Sequence, residues 1–317
     1  MKKTLLLLVV FGTVFSETTN PFEIDFPLKK ELSFEDYELA QAQLRKKEIS
    51  SLVEAIYPPN WHYPKEDVIG RCSAFLRQTM IDREKGLFPE VVLIDGEKGS
   101  KDCIVTACSL DRNYPRLLKS LVGAIREVGF KGAIYYRIGG YPNPTGVEIR
   151  YAGTPYALKM FMIYEAYLLG YERVLWLDTS VWPLKNLDYC FQAIEKDGLL
   201  FEMSKPNTRF ILPQTRNVLE KFCQVDLDHV IHCSAWLMGF KMREKYVQKI
   251  FEGYYKLVEK GTPFISVTPE EMVISALVAS CAPPLVAHEN LLLAANENDS
   301  RIAEARERGV RFILRRH

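Results

Sequence analysis

Residues 171–184 read YERVLWLDTSVWPL, and the middle of that stretch decides the fold. Val174, Leu175, Trp176 and Leu177 form a short apolar run of strand-forming types. Asp178, Thr179 and Ser180 come next with three oxygen-bearing side chains in a row, and Pro183 stops the segment. In open α/β sheets, ligands bind just beyond the carboxyl ends of the strands. A carboxylate placed there suits a hydrated cation, a ribose or a sugar hydroxyl. The plainer reading is a strand and a polar turn in which Asp178 caps the next segment.

The elements on either side extend the pattern. Upstream, Thr154-Pro155 opens a helix-like stretch that Gly170 ends. Further upstream, residues 103–108 (CIVTAC) read as a buried strand and 109–114 as a polar loop. Residues 115–128 form an amphipathic helix with Leu117, Leu118, Leu121, Ile125 and Val128 on one face. Residues 133–138 (AIYYRI) form the next strand, closed by Gly139-Gly140, which makes a β-α-β unit with parallel pairing. Downstream, helices are expected at 188–195, 244–259 and 268–281, and strands at 198–203 and 231–240. The fold class is therefore α/β, with a Rossmann-type, mostly parallel sheet flanked by helices.

Residues 159–187 (KMFMIYEAYLLGYERVLWLDTSVWPLKNL) resemble the nucleotide-sugar glycosyltransferases of the GT-A fold. That superfamily carries a similar helix with a lysine, then a strand that typically ends Leu-Asp-x-Asp. Over the wider span, 101–290, the resemblance is one of element order. It implies transfer of a sugar from a UDP- or GDP-sugar donor to a glycan, protein or lipid acceptor. One departure matters: the last carboxylate of the motif is Ser180 here. In the family that carboxylate usually coordinates the metal on the diphosphate. The resemblance implies manganese or magnesium, but a hydroxyl is a neutral, weaker ligand for a hard cation than the carboxylate it replaces. The competing function is a secreted binding protein that keeps the GT-A-like fold without the chemistry. No Gly-x-Gly-x-x-Gly or Walker-type loop supports a dehydrogenase or kinase.

The resemblance also implies roles for single residues, each with a plainer alternative. Ser109 and Asp111, in the loop after the first strand, would touch the nucleotide, or Asp111 and Asn113 would cap the next helix. Lys159 would contact the diphosphate or sugar, or would be a solvated helix lysine. Asp178 and Ser180 would face the donor. Ser234 and Trp236 would form the acceptor side, unless Trp236 is a core tryptophan. Thr268 and Glu271 fit a capping box, which leaves Glu270 as the sharper candidate base for the acceptor hydroxyl. His288 would join Asp178 as a metal ligand, with Glu289 as a neighbour, or would be an ordinary loop histidine.

Composition narrows the class. The chain has 317 residues, 48% of them hydrophobic and 26% charged, as in an ordinary globular protein, and a formal net charge of +1. That balance argues against a nucleic-acid partner. Residues 1–16 read as a secretory signal peptide, with Lys2 and Lys3 before an apolar run at 5–15. The run is shorter than the ~20 residues of a comfortable span, and an uncleaved anchor is the alternative. Residues 17–100 are expected to form a helical extension packed through Trp61, Tyr63, Phe75 and Leu76 onto a domain covering 101–317. The seven cysteines show no zinc spacing and read mostly as core thiols. The arginine-rich tail, 301–317, is expected to be a solvated face.

Overall fold

The computed structural model describes residues 47–87, 89–110, 113–140, 154–288, 291–296 and 299–316. Residues 1–16, expected to be a signal peptide, most of the first half of the expected helical extension, Asp111 and Glu289 lie outside the described residues. No helix among the described residues is long and apolar enough to cross a membrane.

The central sheet is built from β1 (Glu90–Ile94), β2 (Asp102–Cys108), β3 (Ala133–Ile138), β4 (Arg173–Leu177), β6 (Leu199–Ser204) and β7 (His232–Lys241). Its six strands lie in the order β1-β3-β2-β4-β7-β6. β2 pairs in parallel with β3 on one side and with β4 on the other. This is the arrangement the β-α-β unit implied. The remaining pairings, β1 with β3, β4 with β7 and β6 with β7, are antiparallel. The sheet is thus mixed rather than mostly parallel. β1 also shows that the sheet begins before residue 101, because EVVLI is an edge strand of this same domain.

Helices cover both faces: α1 (Lys65–Glu84), α2 (Tyr114–Glu127), α3 (Leu158–Leu168), α4 (Asp188–Asp197), α5 (Pro213–Cys223), α6 (Lys245–Lys260) and α7 (Pro269–Cys281), while α8 (Asp299–Glu307) packs near the C-terminal tail. Strand alternation splits the core. Cys103, Val105, Val174 and Trp176 face a cluster that includes residues of α3, α5, α6 and α7. Ile104, Cys108, Leu175 and Leu177 face a second cluster with residues of α2 and α4. The N-terminal helical segment packs on the first cluster through Ile49, Val53, Val68 and Cys72, and the Cys72 thiol donates to the carbonyls of Phe264 and Ser266. All seven cysteines are free, and six are buried.

The tail departs from its expectation. β9 (Phe312–Arg316) sits between β5 (Val181–Pro183) and β8 (Leu292–Asn296) in a second, three-stranded sheet. Phe312, Ile313 and Leu314 are buried there. The arginines obscured an apolar triplet that is long enough for a short strand.

The topology defines one crevice. β3 lies on one side of β2 and β4 on the other, so chain direction switches beyond the carboxyl ends of β2 and β4. Ser109 and Asp178 come directly after those two strands. At the end of β3, Gly139 and Gly140 have φ of +71° and +68°. A Cβ on Gly139 would lie 2.8 Å from Leu110 Cδ1, so glycine is what allows the close turn beside the crevice.

A buried ammonium between two carboxylates at the sheet's carboxyl edge

The turn after β4 is tight: the Val181 N–H donates to the Asp178 carbonyl at 2.8 Å, with Thr179 buried and Ser180 half-buried between them. The Asp178 N–H continues the sheet by donating to the Trp236 carbonyl of β7 at 2.9 Å. The Asp178 carboxylate is held from both sides. Trp176 Nε1 donates to Oδ1 at 2.7 Å, and Lys159 Nζ lies 3.0 Å from Oδ1 and 3.2 Å from Oδ2.

Lys159 is not a solvated lysine. It sits on α3, a helix buried on nearly every side, and its side chain is 8% exposed. Besides Asp178, its ammonium reaches Glu270 Oε1 at 2.9 Å and donates to the Ala235 carbonyl at 3.1 Å. An ammonium has three N–H donors, and these three acceptors engage all of them. The rings of Tyr156 and Trp176 each lie 5.8 Å from Nζ. Tyr156 adopts φ of 57°, an uncommon value for a bulky residue, one turn before Lys159. Burial, with Glu270 adding, pushes its phenol up to about 12.

Charge is distributed unevenly over this group. Burial presses the Lys159 ammonium toward neutrality, but Asp178 and Glu270 outweigh burial and hold its pKa above the ordinary value. One ammonium is shared by two carboxylates. Asp178 keeps 31% of its side chain exposed, whereas Glu270 keeps 8%, so Glu270 bears most of the desolvation. Burial raises the Glu270 carboxyl above its usual range, with Lys159 opposing and Glu271 adding.

Glu270 and Glu271 open α7, behind Pro269. The expected capping box is absent: Thr268 makes no side-chain cap bond, and its hydroxyl is buried without a partner. Glu271 is drawn to β7 instead, accepting from the Ala235 N–H at 3.2 Å and lying 3.3 Å from His232 Nε2. Burial works against its charge, but His232 and the Ala235 N–H outweigh burial and hold its carboxyl below the ordinary value. Glu270, the expected base for an acceptor hydroxyl, is buried and paired with Lys159.

A strand irregularity makes this arrangement available. Phe201 pairs with Met238 and Met203 with Cys233, so Glu202 alone faces residues 234–237 of β7. The bulge frees both backbone groups of Ala235 from the ladder and turns them toward Glu271 and Lys159. It also breaks the two-residue alternation of β7, so Ala235 and Met238 face the first core cluster and Trp236 and Leu237 the second. Ser234 is 2% exposed and donates to Glu202 Oε2 at 2.5 Å, so it is part of the wall rather than an open acceptor contact. Trp236 is half-buried against the α2/α4 core, with Nε1 lacking a hydrogen-bond partner.

His288 lies elsewhere. Its Nδ1 is 2.9 Å from the Tyr189 hydroxyl and its Nε2 3.8 Å from Asp197 Oδ2, both on α4, and burial lowers its pKa. The expected pairing of Asp178 with His288 around a metal is not what these contacts show. Among the described residues no group of three or more His, Cys, Asp and Glu side chains is arranged to hold a metal ion. Around Asp178 the remaining motif position, Ser180, is a neutral hydroxyl, and an ammonium already bridges the two carboxylates. That donor set does not fit a divalent cation.

No protein-family model matches this chain, and no curated protein matches it in sequence. Among solved structures, it is similar to a galactosyltransferase, LgtC, in complex with donor and acceptor sugar analogues, at 14% identity and a TM-score of 0.38 over 68% of this chain and 87% of that one. It is similar to the apo structure of WbbM, a bifunctional glycosyltransferase, at 13% identity and a TM-score of 0.42 over 69% of this chain. The match spans 46% of WbbM. An active-site mutant of LgtC gives 14% identity and a TM-score of 0.35.

Proposed function

We propose that this chain is a glycosyltransferase that binds a nucleotide-diphosphate sugar in the crevice beyond β2 and β4. The observation that carries this reading is Asp178. It stands at the switch point of the sheet, a third exposed, and is oriented by Trp176 and Lys159. A carboxylate fixed in that way is a ready acceptor for a ribose or sugar hydroxyl, and little ordering is left for the ligand to impose. Ser109, across the same edge, is the neighbouring contact for the nucleotide, and Ser180 lines the turn. The acceptor is a hydroxyl-bearing glycan, protein or lipid, and the N-terminal signal sequence directs the chain for export.

A second reading, a donor-binding protein without transfer, is favoured by one observation: the expected base, Glu270, is buried against Lys159. Release of UDP or GDP from a panel of UDP- and GDP-sugars, with water as the acceptor, separates the two. Slow release that is lost in Asp178→Asn supports the transferase. Binding without any release supports the second reading, and neither binding nor release overturns both.

A further inference from the structure

We propose that Lys159 is the fixed cation of this site, so that nucleotide binding proceeds without a divalent metal and Asp178 meets its ligand through hydroxyl groups. The inference rests on the binding crevice proposed above and goes further, because it assigns the site's cation to the chain itself.

The geometry supports it in three ways. Nζ lies between Asp178 Oδ1 at 3.0 Å and Glu270 Oε1 at 2.9 Å, so a metal ion bridging the same carboxylates would have to expel the ammonium. Expulsion has no outlet: the side chain is 8% exposed, flanked by the Tyr156 and Trp176 rings, and tied to the Ala235 carbonyl that the β7 bulge presents. The third motif position, Ser180, adds no charge that would attract a metal. With its three donors engaged, Lys159 is a positioning residue and not a phosphate ligand. It neutralises part of the negative charge and fixes the Asp178 oxygens. The exposed portion of Asp178 is left to accept from vicinal hydroxyls of a ribose or sugar.

The test uses the full chain in two arms. In the first, Mn²⁺ alone is titrated and monitored by electron paramagnetic resonance. The wild type takes up no stoichiometric ion, whereas Lys159→Ala, with the ammonium gone and two carboxylates left facing a cavity, acquires one. Stoichiometric uptake by the wild type that is lost in Asp178→Ala overturns the proposal, whatever the nucleotide result. In the second, UDP and GDP are titrated in EDTA and in Mn²⁺. The wild type binds with affinities equal within about threefold in the two buffers. Lys159→Ala binds at least about tenfold more weakly in EDTA and recovers with Mn²⁺. Wild-type binding that disappears in EDTA and returns with Mn²⁺ overturns the proposal and leaves the transferase reading standing. Absence of nucleotide binding in every buffer removes the transferase reading and overturns metal-free nucleotide binding with it, and the manganese arm then decides only whether Lys159 holds the cation's place. If Lys159→Ala fails to fold, the wild-type results in both arms still decide.

Discussion

Lys159→Met is the sharpest perturbation of this molecule. The substitution keeps most of the apolar stem of the side chain and removes only the ammonium. Two carboxylates then face one another across its place, with Glu270 8% exposed and Asp178 31% exposed. The Ala235 carbonyl loses its donor as well. Removing one partner of a buried ion pair destabilises by about 3–5 kcal/mol, because the charge left behind is uncompensated. Unfolding entropy of about 2.1 cal/mol/K per residue makes each kcal/mol worth about 1.5 °C in a chain of 317 residues, so the loss corresponds to roughly 4–8 °C. Urea unfolding monitored by circular dichroism reads the free energy, and the m-value checks that both proteins expose the same surface. Adding Glu270→Gln to Lys159→Met removes the worse-placed charge and restores a large part of the loss. A double-mutant cycle measures that coupling directly. A loss below about 1 kcal/mol, the range of exposed ion pairs, would refute the claim that Lys159 is a buried bridge.

The same geometry sets three further outcomes. Glu271→Ala strips the acceptor from the Ala235 N–H and the partner from His232 Nε2, and costs about 1–3 kcal/mol in urea unfolding, the penalty of an unmet buried donor. Glu270 and Glu271 give pH profiles of opposite sign. The Glu270 pKa is raised in the fold, so its contribution is full below its ordinary 4.5 and falls as pH rises through the raised value; the deficit of Glu270→Gln relative to wild type therefore shrinks as pH rises above 4.5. The Glu271 pKa is lowered, so its contribution is full above 4.5 and is lost as pH falls through the depressed value; the deficit of Glu271→Gln is greatest at neutral pH and shrinks in acid. Unfolding curves collected across that range check both signs, and parallel profiles for the two variants would contradict the assignment.

Much of the site was legible because its residues sit at element boundaries that local chemistry marks. The apolar run of β4 ending at Asp178, the β-α-β unit from β2 to β3, and the Pro-Glu-Glu start of α7 are all short-range signals. What escaped is non-local. The β7 bulge depends on the register of β6 against β7, which no window of sequence contains. Without the bulge, nothing in the sequence shows that the Ala235 amide would draw Glu271 away from its helix, and the capping-box reading fails for that reason. Lys159 was placed on the correct helix, but its burial comes from three neighbours in the turn after β4, on β7 and on α7. The apolar surroundings of α3 were the available hint: Met160, Phe161, Met162 and Ile163 come after the lysine without a polar break. β1, at the edge of its sheet, and β9, in the middle of the small one, were missed because strands of five residues carry weak periodicity.

Everything proposed for this site depends on Asp178 facing a nucleotide-sugar. Calorimetric titration of the wild type and Asp178→Ala with UDP and GDP tests it most directly, with the unfolding curve of the variant recorded alongside. Saturable binding of one of the two nucleotides is expected for the wild type, and none for a variant that is still folded. Binding to folded Asp178→Ala at undiminished affinity, or no binding of either nucleotide to the wild type, would contradict it.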